Sequence, residues 1–335
     1  MIFENIDFHN VSELTDNGDG GYTLHRFPLS VEADLSDGGK NANKVSTGVE
    51  FRFCMLSDTV TLKLKYIGKA TKVTVYRGGV IGSWDEISMP IIGGEINSIV
   101  IKKKRSEEIK AINSAASYGF SHEVVRVVCN SATLVFYGVE GDVTPPTCEQ
   151  LPSKTYLAYG SSITHGSNAV AIPASFAFRV AEHFRVDYYN LGLAGSARLE
   201  PSVVDHIADM GIDGKWDFAT ICMGINILSM EPDEFRHRVN YMVNTVTAKN
   251  PEKHVFFISP IFCHDDMKGS PRPALWREII EDEVNKCAAS NAHYINGLDL
   301  MGGAYGLSCD LVHPSPMGID EITSTLIKEI SKYVK

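Results

Sequence analysis

Ser161 or Ser162, Gly195, Asn226, Asp310 and His313 together supply what acyl transfer from an ester requires. A serine hydroxyl is a weak nucleophile until a base accepts its proton. His313 is such a base, and Asp310, three residues earlier, can hold its imidazole in the tautomer that leaves the other ring nitrogen free to accept. The tetrahedral intermediate puts negative charge on the former carbonyl oxygen, which preorganised N–H donors must meet. The Gly195 backbone, the Asn226 side-chain amide and the backbone N–H of the nucleophile itself are available. An amide donates without carrying a charge, and a glycine backbone comes close to substrate because no Cβ intervenes. Each residue also has a plainer reading. Ser162 and Thr164 suit a helix N-terminus, His313 before Pro314 suits a loop, and Asn226 could bond a loop carbonyl. The combination favours catalysis, provided the chain brings it together.

The elements that must do so lie in the second half. Apolar segments TYLAYG, VDYYNLGL, WDFATICMG, HVFFISPIF and AHYINGL alternate with helical patterns beginning near Ala174, Glu200, Pro232, Pro273 and Ser315. That alternation predicts a parallel sheet covered by helices on both faces. Pro232 and Pro316 fit first-turn positions, where a missing N–H costs nothing. In open α/β sheets ligands bind at the carboxyl ends of the strands. Ser161 and Ser162 follow the first strand, Asn190, Gly192 and Gly195 the second, Gly224 and Asn226 the third, and Asp310 and His313 come after the fifth.

The first half has a different grain. GVEFRFCML, TVTLKLKY, KVTVYRGG, SIVIKKK, EVVRVVC and ATLVFYGVE are short, rich in β-branched and aromatic residues and mostly alternating, which predicts an antiparallel sandwich or jelly roll. GDVTPPTCEQLPSK, residues 141–154, reads as a linker or a crossing strand. The expected organisation is a β-sandwich domain over residues 1–145 and a catalytic α/β domain over 146–335. A chain of 335 residues is long for one core, which agrees with two domains.

A net charge of −10 disfavours nucleic acid and anionic membranes as partners, since no basic surplus exists to release phosphate counterions. The run Lys102–Arg105 reads as a solvated strand end. No leader pattern or membrane-length apolar run is seen, so a cytoplasmic location is expected. Seven scattered cysteines without a C-x-x-C pair point to reduced thiols and away from structural zinc.

Around the central residues, His165, Arg198, Glu200 and His264 are candidates to line the substrate, although His165 could equally support the site from behind or lie on the surface, and Arg198 and Glu200 could equally form the charged first turn of a helix. His264, Asp265 and Asp266 are adjacent in one loop and lack the convergence a metal site needs, so no metal is expected. Trp84 could be a sugar platform, against the commoner reading of a packed core indole.

GSSIT, NLGLAGSA, GIN and DLVH stand in the order and approximate positions of the four blocks of the SGNH (GDSL-type) hydrolases, and the second half resembles that family. The resemblance implies a flavodoxin-like three-layer α/β/α domain with esterase activity. It implies Ser162 as nucleophile, two residues after the block glycine Gly160, with Gly195 and Asn226 as oxyanion donors and Asp310 and His313 as the closing pair. Two positions depart from the pattern. Ser161 stands where an acidic residue is usual, and Ile227 where an aspartate often follows the asparagine. The G-x-S-x-G elbow of ordinary α/β-hydrolases is absent. More loosely, the first half looks like the β-sandwich that precedes the hydrolase domain in several carbohydrate esterases.

The expectation is therefore a serine esterase that removes a short acyl group, acetyl above all, from a small-molecule or oligosaccharide ester through an acyl-enzyme, with no cofactor implied. A lipid or thioester acylhydrolase is the alternative within enzymes. A carbohydrate-binding protein with a scaffold hydrolase domain is the alternative outside them. Oligomeric state is left open by the sequence.

Overall fold

The computed structural model describes residues 1–335, which fall into two compact units. The first comprises Met1–Leu29, Asn43–Ser153 and Arg185–Asp187; the second comprises Ser30–Ala42, Lys154–Phe184 and Tyr188–Lys335.

Two antiparallel sheets of eight and five strands build the first unit. In Thr59–Tyr66 the alternation is visible residue by residue: Val60, Leu62 and Leu64 are buried, while Lys63 and Lys65 turn outward. Phe8, Phe51, Phe53, Val73 and Val127 from the larger sheet share one core with Leu62, Leu64, Ile99, Leu134 and Phe136 from the smaller. Burial of such side chains stabilises by roughly 1.5–3 kcal/mol each. Glu50 and Arg52 occupy the positions that alternate with Phe51 and Phe53, and they too are buried. Arg52 forks onto Asp187 at 2.6 and 2.7 Å, Arg126 forks onto Glu50 at 2.6 and 2.8 Å, and Arg126 lies 3.8 Å from the Phe120 ring centroid. Every charge in this cluster is thereby paired, as burial demands.

The proline-containing stretch expected as a linker stays with this unit. Val143–Thr144 pairs with Glu50–Met55, and the Gln150 side chain donates to Glu123. The units divide at 153/154 in place of 145/146 for that reason. Helix Ser106–Ala116 interrupts the β-rich half, and the short helices within residues 29–43 mark a stretch most of which belongs to the second unit. Trp84 is not a core residue: it is 97% exposed.

The second unit runs β1 (Thr155–Gly160), α1 (Ser162–His165), α2 (Phe176–Phe184), β2 (Asp187–Gly192, all but its first residue in this unit), α3 (Pro201–Ile212), β3 (Phe218–Cys222), α4 (Pro232–Lys249), β4 (Val255–Ile258), α5 (Arg272–Lys286), β5 (Ala292–Ile295) and α6 (Pro316–Ile330). Strand order is β2-β1-β3-β4-β5, and the pairs β1–β3, β3–β4 and β4–β5 are parallel. β1 and β4 are buried almost end to end, the pattern of strands covered on both faces. Pro201, Pro232 and Pro316 open their helices, and the Ser315 hydroxyl accepts from the Gly318 N–H to cap α6. This is the flavodoxin-like order, whose direction reverses between β1 and β3. The ends of these two strands carry Ser162 and Asn226.

Candidate active site

β1 ends at Gly160, where a Cβ would lie 2.4 Å from Thr164 Oγ1 and 2.8 Å from Cys222 Cβ. Glycine is therefore what lets the chain turn this tightly into α1. Ser161 is the cap: its Oγ accepts from the Ile163 N–H at 3.3 Å. Ser162 is the first helical residue, so its own N–H is one of the first-turn donors the helix does not use. The two serines thus differ: Ser161 caps the helix, and Ser162 carries its hydroxyl on the first helical position.

Ser162 Oγ, 7% exposed as a residue, lies 2.7 Å from His313 Nε2, and His313 Nδ1 lies 2.8 Å from Asp310 Oδ2. Three further donors reach Asp310 Oδ1: the Ser308 hydroxyl at 2.9 Å, the Val312 N–H at 3.0 Å and the His313 N–H at 2.9 Å. Desolvation would raise the Asp310 carboxyl, but N–H donation from His313 and Val312 outweighs it and holds the group well below the usual carboxylate range. The loop is braced by Ser308 N–H to His313 O at 2.8 Å and by His264 N–H to Leu311 O at 2.8 Å.

Gly195 sits on the loop after β2 at φ +67°, with nothing within 4 Å of where a Cβ would stand. Glycine serves its backbone conformation there, and the space beside it is open. Leu193 N–H bonds Gly160 O at 2.8 Å, which ties this loop to the turn that carries Ser161 and Ser162. Asn226 follows Gly224 in the turn Ile225–Ile227, and its Oδ1 accepts from the Ala197 N–H at 3.1 Å. That bond assigns the amide orientation, so Nδ2 is the end left to donate.

The rest of the β2 tip is structural. Asn190 Nδ2 donates to Thr164 O at 2.9 Å, and a Cβ on Gly192 would fall 2.4 Å from His165 N. Both press the β2 end against α1. His165 is 2% exposed and supports α1 from inside, one of the places the sequence leaves open to it. Glu200 is likewise buried, next to Leu199 at φ +58°, and burial pushes its carboxyl up. Arg198 is exposed, and its carbonyl accepts from Arg238. His264 is half-buried and acts through its backbone on the 308–313 loop. Asp266 forks onto Arg277 at 2.7 and 2.8 Å, which commits that carboxylate to an ion pair.

Sequence reasoning missed three contributors. Asn168 Nδ2 lies 2.9 Å from Ser308 Oγ and 3.2 Å from Asp310 Oδ2. Ser308 itself is the second. Gly38 is the third: a Cβ there would lie 2.6 Å from Ser196 Oγ, beside Gly195. Ser308 is two residues from Asp310 and could have been flagged as an Asx-type partner. Nothing in sequence spacing signals the other two.

A family model described as the GDSL-like lipase/acylhydrolase family matches residues 158–319, which contain all five of Ser162, Gly195, Asn226, Asp310 and His313. No curated protein sequence matches the chain. Among solved structures, a salicylyl-acyltransferase from a tetracycline biosynthetic pathway is similar with a TM-score of 0.78 at 15% identity, covering 98% of this chain and 94% of that one. A GDSL-like lipase from Bacteroides ovatus gives 0.68 at 18% identity over 92% and 91%. A family two carbohydrate esterase from Clostridium thermocellum, in complex with cellohexaose, gives 0.62 at 13% identity over 86% and 93%. At these identities the likeness is one of fold, and it extends over both units. No helix is long and apolar enough to cross a membrane.

Proposed function

We propose, from the premise that residues 158–319 form a GDSL-like lipase/acylhydrolase domain and the chain is a carboxylic ester hydrolase, that it cleaves short acyl esters, acetyl first among them, from a carbohydrate through an acyl-enzyme on Ser162. The observation that carries the mechanism is the line Ser162 Oγ, His313 Nε2, His313 Nδ1, Asp310 Oδ2, with gaps of 2.7 and 2.8 Å. His313 takes the hydroxyl proton as Oγ attacks the ester carbonyl, and Asp310 keeps Nδ1 protonated and stabilises the imidazolium that forms. The Ser162 and Gly195 N–H groups and Asn226 Nδ2 receive the oxyanion. The intermediate collapses with the proton returned to the departing alcohol. Water then repeats the sequence on the acyl-enzyme, with His313 again as base.

The carbohydrate and the acetyl group come from the first-half likeness to carbohydrate esterases. Purified protein should hydrolyse aryl acetate faster than aryl octanoate and release acetate from acetylated oligosaccharides. Preference for long acyl chains would overturn the substrate reading. Loss of all ester hydrolysis in a folded sample would overturn the reaction. A second reading, transfer of the acyl group to an alcohol, is favoured by the acyltransferase likeness over 98% of the chain. An acceptor alcohol that yields new ester in place of free acid would distinguish it.

A further inference from the structure

We propose that Asn168, acting together with Ser308, is a positioning residue that clamps the Asp310 carboxylate against His313; this rests on the reading of Ser162, His313 and Asp310 as the catalytic line. Asp310 is unusual for the orienting acid because its side chain is 43% exposed. Rotation of a carboxylate about its terminal torsion is soft, and burial does not hold this one. Donors must do so instead. Oδ1 takes the three from its own loop, and Oδ2, the oxygen that faces Nδ1, takes Asn168. Of the donors on this carboxylate, Asn168 is the one from outside residues 308–313, and it comes from the loop that follows the nucleophile helix α1. It therefore ties the segment bearing Ser162 to the segment bearing Asp310 and His313.

The chemistry of the partners fixes the proton directions. The Ser308 hydroxyl donates to Asp310 Oδ1, so its oxygen accepts from Asn168, and the carboxylate can only accept. The atom of Asn168 that meets both is therefore the NH₂ group. A closed set results, Asn168 to Ser308, Ser308 to Asp310 and Asn168 to Asp310, in which the Asn168 bond polarises the Ser308 hydroxyl toward the carboxylate and all three hold the acid in place. The backbone supports it. Asn168 holds φ +65°, a conformation asparagine tolerates better than other residues with a side chain. An aspartate here would face Asp310 with an acceptor, and an alanine would strain the turn.

The test uses Asn168→Gly, which removes the amide and accepts the left-handed backbone, and Ser308→Ala, each alone and combined with Asp310→Ala, with kcat, KM and Tm measured on an aryl acetate. Asn168→Gly is expected to lower kcat by about tenfold, the cost of a slightly misplaced catalytic group, with KM within about twofold of wild type. In the Asp310→Ala background the same change is expected to cost nothing, because the group it positions is gone. Ser308→Ala should behave the same way. Wild-type kcat in Asn168→Gly would overturn the clamp while leaving the triad intact. An equal loss with and without Asp310 would also overturn it, since Asn168 would then act through something else. If Asp310→Ala itself retained wild-type activity, the triad reading would fall and the clamp with it.

Discussion

Replacing Asp310 by asparagine keeps the shape of the side chain and inverts one of its two ends. The structure dictates which. Ser308 Oγ and the Val312 and His313 N–H groups all donate to Oδ1, so the amide oxygen must stay there and the NH₂ must face His313 Nδ1. Nδ1 is then forced to accept, its proton moves to Nε2, and Nε2 meets the Ser162 hydroxyl with a hydrogen where a lone pair is needed. The productive alternative turns the amide over. That opposes three donors with an NH₂, against the single Asn168 donor mismatched in the first orientation, a net loss of two hydrogen bonds. At about 0.5–1.5 kcal/mol for each hydrogen bond lost at this partly exposed site, the productive form lies roughly 1–3 kcal/mol higher. This corresponds to a rate loss of roughly fivefold to 150-fold at about 1.36 kcal/mol per decade, short of the ~10⁴ known for such a change where the orienting acid is buried. The assay is kcat/KM on an aryl acetate, with circular dichroism and Tm confirming the fold. A loss below about fivefold would refute the reasoning: a backbone carbonyl would then orient His313, and the site would be a dyad.

Asn226→Ala should lower kcat by roughly 10²–10³ with little change in KM, as expected for one lost oxyanion donor; a change confined to KM would make Asn226 a substrate-binding residue. Gly192→Ala would drive a Cβ into the backbone of His165, 2.4 Å from N and 2.7 Å from Cα, and should destabilise by about 1–3 kcal/mol and slow kcat by displacing α1, as read by Tm and by ester hydrolysis; unchanged Tm would contradict the packing. Burial alone would raise the Glu50 carboxyl, but Arg126 and Arg52 hold it at about 2, below its ordinary 4.5. The folded value is the lower one, so this stability is present above the ordinary value and is lost as pH falls from 4.5 toward 2. Tm should therefore drop over that interval, and Glu50→Gln, which leaves Arg126 without its buried partner, should cost about 3–5 kcal/mol at neutral pH; an acid-insensitive Tm would contradict the pairing.

How far the sequence disclosed this site depends on the range of each interaction. The parallel sheet, its helix starts at Pro201, Pro232 and Pro316, and the placement of Ser162 and Asn226 at strand ends follow from apolar runs and local caps, which neighbouring residues determine. Asp310 and His313 were legible for the same reason, their spacing being a property of one turn. The choice of Ser162 over Ser161 rests on the family blocks, since both serines are competent caps; in the structure the cap is Ser161, whose oxygen takes the Ile163 N–H. The sequence leaves His165 between the substrate and a supporting place because composition does not reveal which face of a one-turn helix is buried; in the structure it is 2% exposed. Asn168 and Gly38 were invisible because their partners, Ser308 with Asp310 and Ser196, lie far along the chain. Trp84 went against its residue type: indoles are usually buried, and this one stands on a turn, 97% exposed.

The most direct test of the central claim is the site of covalent capture. Treating the protein with a fluorophosphonate and mapping the adduct by peptide mass should place one label on Ser162, with label and esterase activity both lost in Ser162→Ala and both retained in Ser161→Gly, glycine being an accepted helix cap. A label on Ser161, or ester hydrolysis that survives in Ser162→Ala, would contradict the account.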